Sequence, residues 1–285
     1  MKSPPFAYVR PSELAVALEL LSEHQDEGHV LAGGQSLLPT MNFRLSAPAV
    51  LIDINRIDEL KGIRFVADGI RIGALVRHAE VAVSEIIQRE LPLLHEAIEH
   101  VAHPAVRNRG TFGGSLALAD PAAEIPACAV ALNAKIVLAS KTGRRVVAAR
   151  EFFRGLYSTV RRPDEILIEA IFPPRADGDH NAFAELSRRH GDYAIAGISC
   201  HAAMTGNRIK ELGLVVFGCE AFPHVAKYAG EIAVGKEMSR TLAEEVAAAL
   251  TKDLQPIEDI HGDRAVKLHL AQILARRTIE RMAGA

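Results

Sequence analysis

Two glycine-rich segments contain the residues best suited to hold a charged ligand. The first spans residues 32–36 (AGGQS) and the second spans residues 111–115 (TFGGS), and we call them loop 1 and loop 2. Paired glycines let a backbone approach a bulky anion and turn its N–H groups towards it. The neighbouring hydroxyl and amide groups add side-chain hydrogen bonds to phosphate oxygens. The two segments together predict a site that holds one diphosphate between them.

The residues around loop 2 favour a dinucleotide. Arg107 and Arg109 precede the loop, while Asp120 and Glu124 follow it. Guanidinium groups bind phosphate oxygens, and in other dinucleotide sites a carboxylate near the loop accepts hydrogen bonds from ribose hydroxyls. The same residues are compatible with an ordinary polar loop whose side chains cap helices, and the pattern alone leaves both interpretations open.

Other chemistries are not supported by the residue spacing. No GxGxxG segment follows a predicted strand, so a Rossmann site is not indicated. Residues 230–237 (GEIAVGKE) resemble a P-loop but end in Glu237, where a magnesium-binding Ser or Thr is required. His95 and His100 lie about 140° apart around a helix, too far to share one metal ion. We therefore predict no metal site and no catalytic acid, base or nucleophile in this chain.

The composition bounds the class of protein. The 285 residues are 49% hydrophobic, enough for a substantial core, and the 33 basic and 35 acidic side chains are interspersed, which argues against a nucleic-acid partner. Three scattered cysteines argue against a disulfide framework and favour a reducing, cytoplasmic compartment. They are also too few for an all-cysteine iron–sulfur cluster within this chain. No run of about 18 apolar residues is present, so no membrane-spanning helix is expected.

The hydrophobic pattern places both loops in the first of two units, which are divided near residue 176. For this first unit we expect a helix capped by Ser12 and a hairpin around Asp68-Gly69. Further strands are predicted at residues 29–32, 50–54 and 166–171, a second hairpin at 136–148, and helices at 79–89, 91–102 and 126–133. The unit is therefore predicted to mix strands and helices.

The second unit is predicted to begin after a linker. Residues 173–180 contain two prolines and an Asp-Gly-Asp cluster, which cannot continue a strand or a helix. Beyond them the pattern predicts strands at residues 182–186, 194–204 and 209–217, followed by helices at 241–254 and 264–282. The expected fold class is α+β, with a small antiparallel sheet and helices after the linker.

The motifs, taken in order, resemble the FAD-binding medium subunit of molybdenum hydroxylases, the carbon monoxide dehydrogenase and xanthine dehydrogenase family. The resemblance is carried by loop 1 with the following Leu37, by residues 107–115, and by further matching segments at residues 6–11, 51–54, 120–124 and 188–194. It implies a two-part FAD-binding domain of the vanillyl-alcohol oxidase type at residues 1–175, with parts at about 1–57 and 58–175. A C-terminal domain of antiparallel sheet and helices is then implied at residues 176–285.

The resemblance also implies which residues bind FAD. They are Ala32, Gly33, Gly34, Gln35, Ser36, Leu37, Thr111, Gly113, Gly114, Ser115, Glu124, Leu167, Asp192 and Tyr193. The two loops match the diphosphate-binding segments, and Glu124 matches an acidic position that faces the adenosine portion. Leu167 matches a position whose backbone approaches the flavin ring. Asp192 and Tyr193 match a loop beside the isoalloxazine that governs access to it.

The function implied by the resemblance is electron transfer within a multi-chain enzyme. Substrate is expected to react at a molybdenum–pterin centre in a large partner chain, and electrons are expected to cross iron–sulfur clusters in a small chain to FAD in this chain. The implied assembly is a dimer of heterotrimers. Two alternatives remain open: a stand-alone flavin oxidase of the same fold, and a scaffold subunit without cofactor.

Overall fold

The computed structural model describes residues 2–284, and the strands in this part of the chain form four sheets. The strands are β1 (Ala7–Val9), β2 (Gly28–Leu31), β3 (Val50–Asp53), β4 (Ile63–Val66), β5 (Gly69–Gly73), β6 (Lys135–Ser140), β7 (Gly143–Ala148), β8 (Phe153–Gly155), β9 (Ser158–Thr159), β10 (Ile166–Phe172), β11 (His180–Leu186), β12 (Ala196–Thr205), β13 (Arg208–Phe217) and β14 (His224–Val225). The mixture of sheets and helices confirms the α+β class.

The helices alternate with these strands through most of the chain. They are α1 (Leu14–His24), α2 (Leu37–Asn42), α3 (His78–Val83), α4 (Glu85–Glu90), α5 (Pro92–Ile98), α6 (Pro104–Arg107), α7 (Phe112–Leu118), α8 (Glu124–Ala131), α9 (Ala149–Phe152), α10 (Lys227–Ala233), α11 (Arg240–Asp253) and α12 (Arg264–Met282). No helix within residues 2–284 has both the length and the apolar character needed to cross a bilayer.

A three-stranded parallel sheet, in the order β1-β3-β2, forms the first layer. Helix α1 covers it and buries Leu14, Leu18 and Leu21, which recur at helical spacing. The predicted cap at Ser12 is wrong, since Glu13 is the N-cap and makes no side-chain capping bond. Because β2 and β3 are parallel, their carboxyl ends lie at one edge, and loop 1 leaves the sheet there.

A five-stranded antiparallel sheet, in the order β4-β5-β10-β6-β7, forms the second layer. The hairpin predicted at Asp68-Gly69 is confirmed, and Gly69 has a φ of 133° that favours glycine. The helix predicted at residues 79–89 is instead two helices. Ser84 adopts an extended conformation and its hydroxyl accepts from the Ile87 N–H, so it ends α3 and caps α4. Helix α7 packs against β5 and β10, which fixes loop 2 beside this sheet.

The C-terminal layer is a four-stranded antiparallel sheet, in the order β11-β12-β13-β14, with α10 and α12 packed on it and α11 packed on those two helices. The three predicted strands are confirmed, and the short β14 was not predicted. Helix α8 of the preceding region packs on β12 and β13, so the sheet is covered from both faces. The three cysteines, Cys128, Cys200 and Cys219, are buried and form no disulfide.

Candidate functional site

A cavity of about 820 Å³ runs along both glycine loops. Its lining includes all fourteen residues that the family resemblance singled out: Ala32, Gly33, Gly34, Gln35, Ser36, Leu37, Thr111, Gly113, Gly114, Ser115, Glu124, Leu167, Asp192 and Tyr193. These residues come from the end of β2, the start of α7, the start of α8, strand β10 and the segment before β12. The fold therefore brings sequence-distant residues to one concave surface.

At Gly33, loop 1 touches the segment that leads into loop 2. A Cβ added to Gly33 would collide with the carbonyl oxygen of Arg109 and would lie 2.9 Å from the Cα of Gly110. Glycine at this position is thus required by loop-to-loop packing. The next residue, Gly34, has a φ of 73°, a left-handed conformation that L side chains rarely adopt. These two glycines bring loop 1 against the entry to loop 2 and turn its backbone sharply.

Loop 1 presents open backbone donors. Within residues 2–284, the N–H groups of residues 33–36 donate to no protein acceptor. The carbonyls of this loop are engaged instead: Gly33 accepts from the Gln35 side chain at 3.2 Å and Ser36 accepts from the Thr40 hydroxyl at 2.7 Å. The loop is therefore held by its acceptors while its donors remain available. This is the arrangement that paired glycines predicted.

Loop 2 differs, because its four backbone donors from Phe112 to Ser115 are already used. The Phe112 N–H donates to Val76 at 2.8 Å and the Gly113 N–H donates to Ala74 at 2.9 Å. The remaining two turn inward to Thr111, since Gly114 N–H reaches its hydroxyl at 3.2 Å and Ser115 N–H its carbonyl at 3.0 Å. The expectation that these glycines offer free N–H groups is wrong for loop 2. What loop 2 offers the cavity is the hydroxyls of Thr111 and Ser115.

The glycines of loop 2 serve packing. A Cβ added to Gly113 would lie 2.5 Å from the Cβ and 2.6 Å from the Cα of Ala74, so α7 could not approach the second sheet. A Cβ at Gly114 would lie 2.6 Å from the Thr111 hydroxyl that caps α7. Gly114 lies inside α7 and does not have a positive φ. The backbone conformation at position 114 therefore does not require glycine.

His78 lies behind loop 2 and lines the same cavity. Burial lowers the pKa of its imidazole to about 4, so the ring is neutral near pH 7. The Thr111 backbone opposes this shift, yet within residues 2–284 neither ring nitrogen completes a hydrogen bond. A buried imidazole without partners is uncommon, because an unsatisfied polar group costs about 1–3 kcal/mol. Both ring nitrogens are enclosed by protein atoms, so the imidazole is a neutral side chain packed behind loop 2.

An acidic set of four residues occupies one part of the cavity region: Asp120, Glu124, Tyr157 and Tyr193. Tyr157 donates to Asp120 at 3.3 Å, and Asp120 also accepts from the Ala122 N–H at 2.9 Å. Burial raises the pKa of Glu124 to about 8 and also raises that of Asp120. Both carboxylates raise the pKa of Tyr193, after burial itself, so Tyr193 lies beside them. Near pH 7 Glu124 is predominantly protonated.

A basic set of two residues, His29 and Arg161, lines another part of the cavity. The Arg161 guanidinium donates to the backbone carbonyls of Glu165 at 2.8 Å and Arg162 at 3.1 Å. Burial, followed by the nearby charge of Arg161, lowers the pKa of His29. His29 lies on β2 before loop 1, whereas Asp120 follows the end of α7. His29 and Asp120 therefore lie on opposite sides of the two loops along the chain, whereas Arg161 follows both loops.

Several residues of this region were not predicted from the sequence. His29, His78 and Arg161 line the cavity, and Asn55 and Arg77 bond the loops from behind. For Asn55 a signal existed, because a polar residue directly after a buried parallel strand lies at the same sheet edge as loop 1. Arg77 carried no such signal, since an arginine ahead of a helix is ordinary.

Comparison with known proteins finds two family models that match successive parts of the chain. Residues 4–175 match the family described as "FAD binding domain in molybdopterin dehydrogenase", and residues 181–282 match "CO dehydrogenase flavoprotein C-terminal domain". The nicotine 6-hydroxylase medium subunit of Paenarthrobacter nicotinovorans is 38% identical over 279 residues, covering 98% of each chain. The carbon monoxide dehydrogenase medium chain of Hydrogenophaga pseudoflava is 35% identical, covering 98% of this chain and 97% of that one.

Solved structures agree in fold over the whole chain. A structure of carbon monoxide dehydrogenase from Hydrogenophaga pseudoflava superposes with a TM-score of 0.96 at 36% identity, covering 100% of this chain and 99% of that one. Quinoline 2-oxidoreductase from Pseudomonas putida 86 gives a TM-score of 0.94 at 36% identity with the same coverage. The resemblance seen in the sequence is confirmed: the chain belongs to the family of FAD-binding medium subunits of molybdenum-containing oxidoreductases, the carbon monoxide dehydrogenase and xanthine dehydrogenase family.

Proposed function

We propose that this chain is the electron-transfer subunit of a multi-chain molybdenum hydroxylase. In this role it receives electrons from iron–sulfur clusters of a partner chain and passes them to an external acceptor. The observation that carries the proposal is the cavity along both glycine loops in a member of the FAD-binding medium-subunit family. FAD supplies the redox chemistry when bound, while this chain supplies binding, orientation and electrostatics.

The cavity fits the diphosphate of FAD. Its volume of about 820 Å³ lies within the range of about 300–1,000 Å³ that is typical of small-molecule sites. The open N–H groups of loop 1 belong to residues that line it, as do the hydroxyls of Ser36 and Ser115. An anion with several acceptor oxygens would satisfy these donors together. We therefore assign the diphosphate to the space between the loops.

The acidic set is assigned to the flavin end of the cofactor. Tyr193 is 66% exposed, so this part of the cavity opens to solvent, where an acceptor can approach. Asp192 and Tyr193 keep the role that the resemblance gave them, beside the isoalloxazine. Glu124 lies with Tyr193, so we reassign it from the adenosine portion to the flavin end. Its predominantly protonated carboxyl adds a neutral hydrogen-bond donor there.

The basic set is assigned to the adenosine end. His29 and Arg161 line the cavity beside Pro163 and Ile166. The Arg161 side chain is held by backbone carbonyls and makes no ion pair within residues 2–284, so its guanidinium keeps unshared charge. Such a group stacks on an aromatic base or pairs with a phosphate. Leu167, the second residue of β10, remains a proposed backbone contact of the cofactor.

Partner chains complete the proposed function. We propose a large molybdenum–pterin subunit and a small iron–sulfur subunit, assembled as a dimer of heterotrimers. The relatives matched above carry the names medium subunit and medium chain, which refer to such multi-chain enzymes. The three buried thiols of this chain are consistent with clusters being held elsewhere and with a reducing, cytoplasmic compartment.

The test separates an electron relay from a stand-alone oxidase. The chain expressed alone should bind FAD non-covalently, so acid precipitation should leave the yellow cofactor in the supernatant. Stopped-flow absorbance should show no flavin bleaching by organic substrate in the isolated chain, and rapid bleaching once both partner chains are added. Bleaching without partners would favour the oxidase, and a colourless purified chain that takes up no added FAD would favour the scaffold.

A further inference from the structure

A pair of side chains connects the backbones of the two loops from outside the cavity. The Asn55 amide donates to the carbonyl of Ala32, the first residue of loop 1, at 2.8 Å. Its carbonyl oxygen accepts from the Arg77 guanidinium at 2.6 Å. The other terminal nitrogen of Arg77 donates to the carbonyl of Arg109, two residues before loop 2. One continuous chain of three hydrogen bonds therefore runs from loop 1 to the entry of loop 2.

Asn55 is itself held in one orientation. It follows β3 by two residues, and Asp53 at the end of that strand accepts from both the backbone N–H of Asn55 at 2.9 Å and its side-chain amide at 2.6 Å. Asp53 is buried, accepts from the Tyr8 hydroxyl and pairs with Arg10 at 3.2 Å. The amide of Asn55 is thus shared between Asp53 and Ala32. Its orientation is fixed by the first sheet.

Arg77 is placed by the second sheet region. Arg77 forms an isolated antiparallel bridge with Thr111, and its backbone N–H donates to the Glu80 carboxylate at 2.7 Å. No carboxylate within residues 2–284 forms an ion pair with the Arg77 guanidinium. The guanidinium donates instead to the Asn55 side-chain carbonyl and to the backbone carbonyl of Arg109. Arg77 does not line the cavity. An arginine committed to neutral acceptors behind the two loops acts by fixing their separation.

The loops leave little room for this separation to change. Gly33 already contacts the Arg109 backbone so closely that no Cβ fits between them. The carbonyl of Arg109 is the acceptor of Arg77 and also the atom that a Gly33 side chain would strike. The Arg77 bond therefore acts on the contact that sets the distance between loop 1 and loop 2. Hydrogen bonds from a charged donor are about twice as strong as neutral ones, which suits this task.

We propose that Asn55 and Arg77 form a clasp that pre-organises the two glycine loops for the FAD diphosphate. The inference rests on the proposed binding of FAD between the loops and adds two positioning residues to that site. Neither residue touches the cofactor; each acts through the carbonyl it holds. Pre-organisation raises affinity because the apoprotein spends less free energy ordering the loops when ligand binds. The clasp should therefore control FAD affinity more than it controls global stability.

The test compares FAD affinity with apoprotein stability in the full chain. Asn55→Ala and Arg77→Ala should each raise the FAD Kd at least about tenfold, because each removes the connection that holds the loops in place. A tenfold change corresponds to about 1.4 kcal/mol. The double variant should be no weaker than the worse single variant, since either change opens the same connection. Hydrogen exchange should increase at both loops in either single variant. Arg77→Lys keeps the charge and one donor, so it should restore part of the affinity, and it carries the test if Arg77→Ala does not fold.

Arg71→Ala is the matched control. Arg71 is also a half-buried arginine with two partners, Glu169 at 2.7 Å and Asp68 at 2.7 Å, but it lies on β5 and does not line the cavity. It should lower the melting temperature while leaving the FAD Kd within about twofold. An unchanged Kd in Asn55→Ala and Arg77→Ala, or additive losses in the double variant, would overturn the clasp. If Gly33→Val also binds FAD normally, the proposed site itself fails, which distinguishes the two outcomes.

Discussion

The two glycine loops look alike in sequence but differ in what their backbones do. In loop 1 the N–H groups of residues 33–36 have no acceptor in the part of the chain that the structure describes, whereas in loop 2 every N–H from Phe112 to Ser115 has one. Loop 1 is therefore a set of open donors, while loop 2 is a closed helix start. The same glycine pair leaves its backbone donors open in one case and begins a closed helix in the other.

The difference shows which part of a glycine-rich motif is available to bind a ligand. Glycine is needed wherever a backbone comes close to something, whether an anion or another backbone. At Gly33 and Gly113 the neighbour is protein: the Arg109 backbone in the first case and Ala74 in the second. At Gly34 the requirement is a positive φ. Only the hydrogen bonds show which N–H groups are left for a ligand.

The largest expected effect comes from separating the loops. Gly33→Val should abolish FAD retention, because its side chain would push the Arg109 backbone away from loop 1. Loss of two hydrogen bonds to a charged group, about 1.5–3 kcal/mol each, weakens binding by at least about a hundredfold. Gly155→Ala is the control, since a Cβ there meets only Ser158 at 4.0 Å. Fluorescence titration of the apoprotein with FAD measures both, and normal binding by a folded Gly33→Val would place the diphosphate elsewhere.

A second pair of variants separates packing from binding in loop 2. Gly113→Ala should lower stability by about 1–3 kcal/mol, the usual cost of overpacking, because Ala74 cannot move out of the way of α7 without shifting β5. Gly114→Ala should leave stability nearly unchanged, since it loses a cap bond of about 1 kcal/mol but gains about 1 kcal/mol of helix propensity. Thermal unfolding of both apoproteins measures the contrast. Equal melting temperatures would contradict the packing role of Gly113.

The positions of these loops could be predicted from the sequence, and their different roles could not. Glycine pairs next to apolar runs mark the loops in the primary structure, and the C-terminal strands are equally visible as apolar alternation. The used donors of loop 2 depend on Val76 and Ala74, which approach only through tertiary packing. No local pattern links residue 76 to residue 112.

The same reason explains the residues that were missed. Arg77 bonds to Asn55 and to Arg109, which are 22 and 32 residues away in the chain. Its role appears only when two sheets place these groups together. Ser84, in contrast, was missed although the signal was local, because a serine before Glu85 is a common N-cap and divides the helix predicted at residues 79–89. The prediction extended the helical periodicity past Ser84, the residue at which α3 ends.

Charge sharpens the comparison further, since the acidic set follows loop 2 and His29 of the basic set precedes loop 1. Burial raises the pKa of Glu124 from 4.5 to about 8 in the folded chain. A raised acid pKa means that the folded state keeps a proton that the unfolded state loses, so stability falls as pH rises from about 5 to 8. The slope is at most about 1.4 kcal/mol per pH unit. Glu124→Gln should flatten this fall, whereas exposed Glu258→Gln should not.

Denaturant unfolding of the apoprotein at pH 5, 6, 7 and 8 gives the measurement. The wild-type chain and Glu258→Gln should lose stability in parallel across the series, because Glu124 is intact in both. The free energy of unfolding of Glu124→Gln, relative to that of the wild-type chain, should rise progressively with pH. This difference should stop growing above about pH 8, where the folded Glu124 carboxyl of the wild-type chain is itself ionised. A pH profile for Glu124→Gln that runs parallel to wild type would show that this carboxyl ionises normally in the fold.

The smallest expected effects come from the two serines, which test whether loop 2 binds at all. Both hydroxyls line the cavity, and within residues 2–284 neither bonds to another protein group. Ser36→Ala and Ser115→Ala should each remove one hydrogen bond worth about 1 kcal/mol, about a fivefold rise in the FAD Kd. The melting temperatures of both apoproteins should stay unchanged, because no protein bond is lost. A loss in Ser36→Ala alone would mean that loop 2 only supports loop 1, whereas additive losses in the double variant would show that loop 2 contacts the cofactor through its hydroxyl.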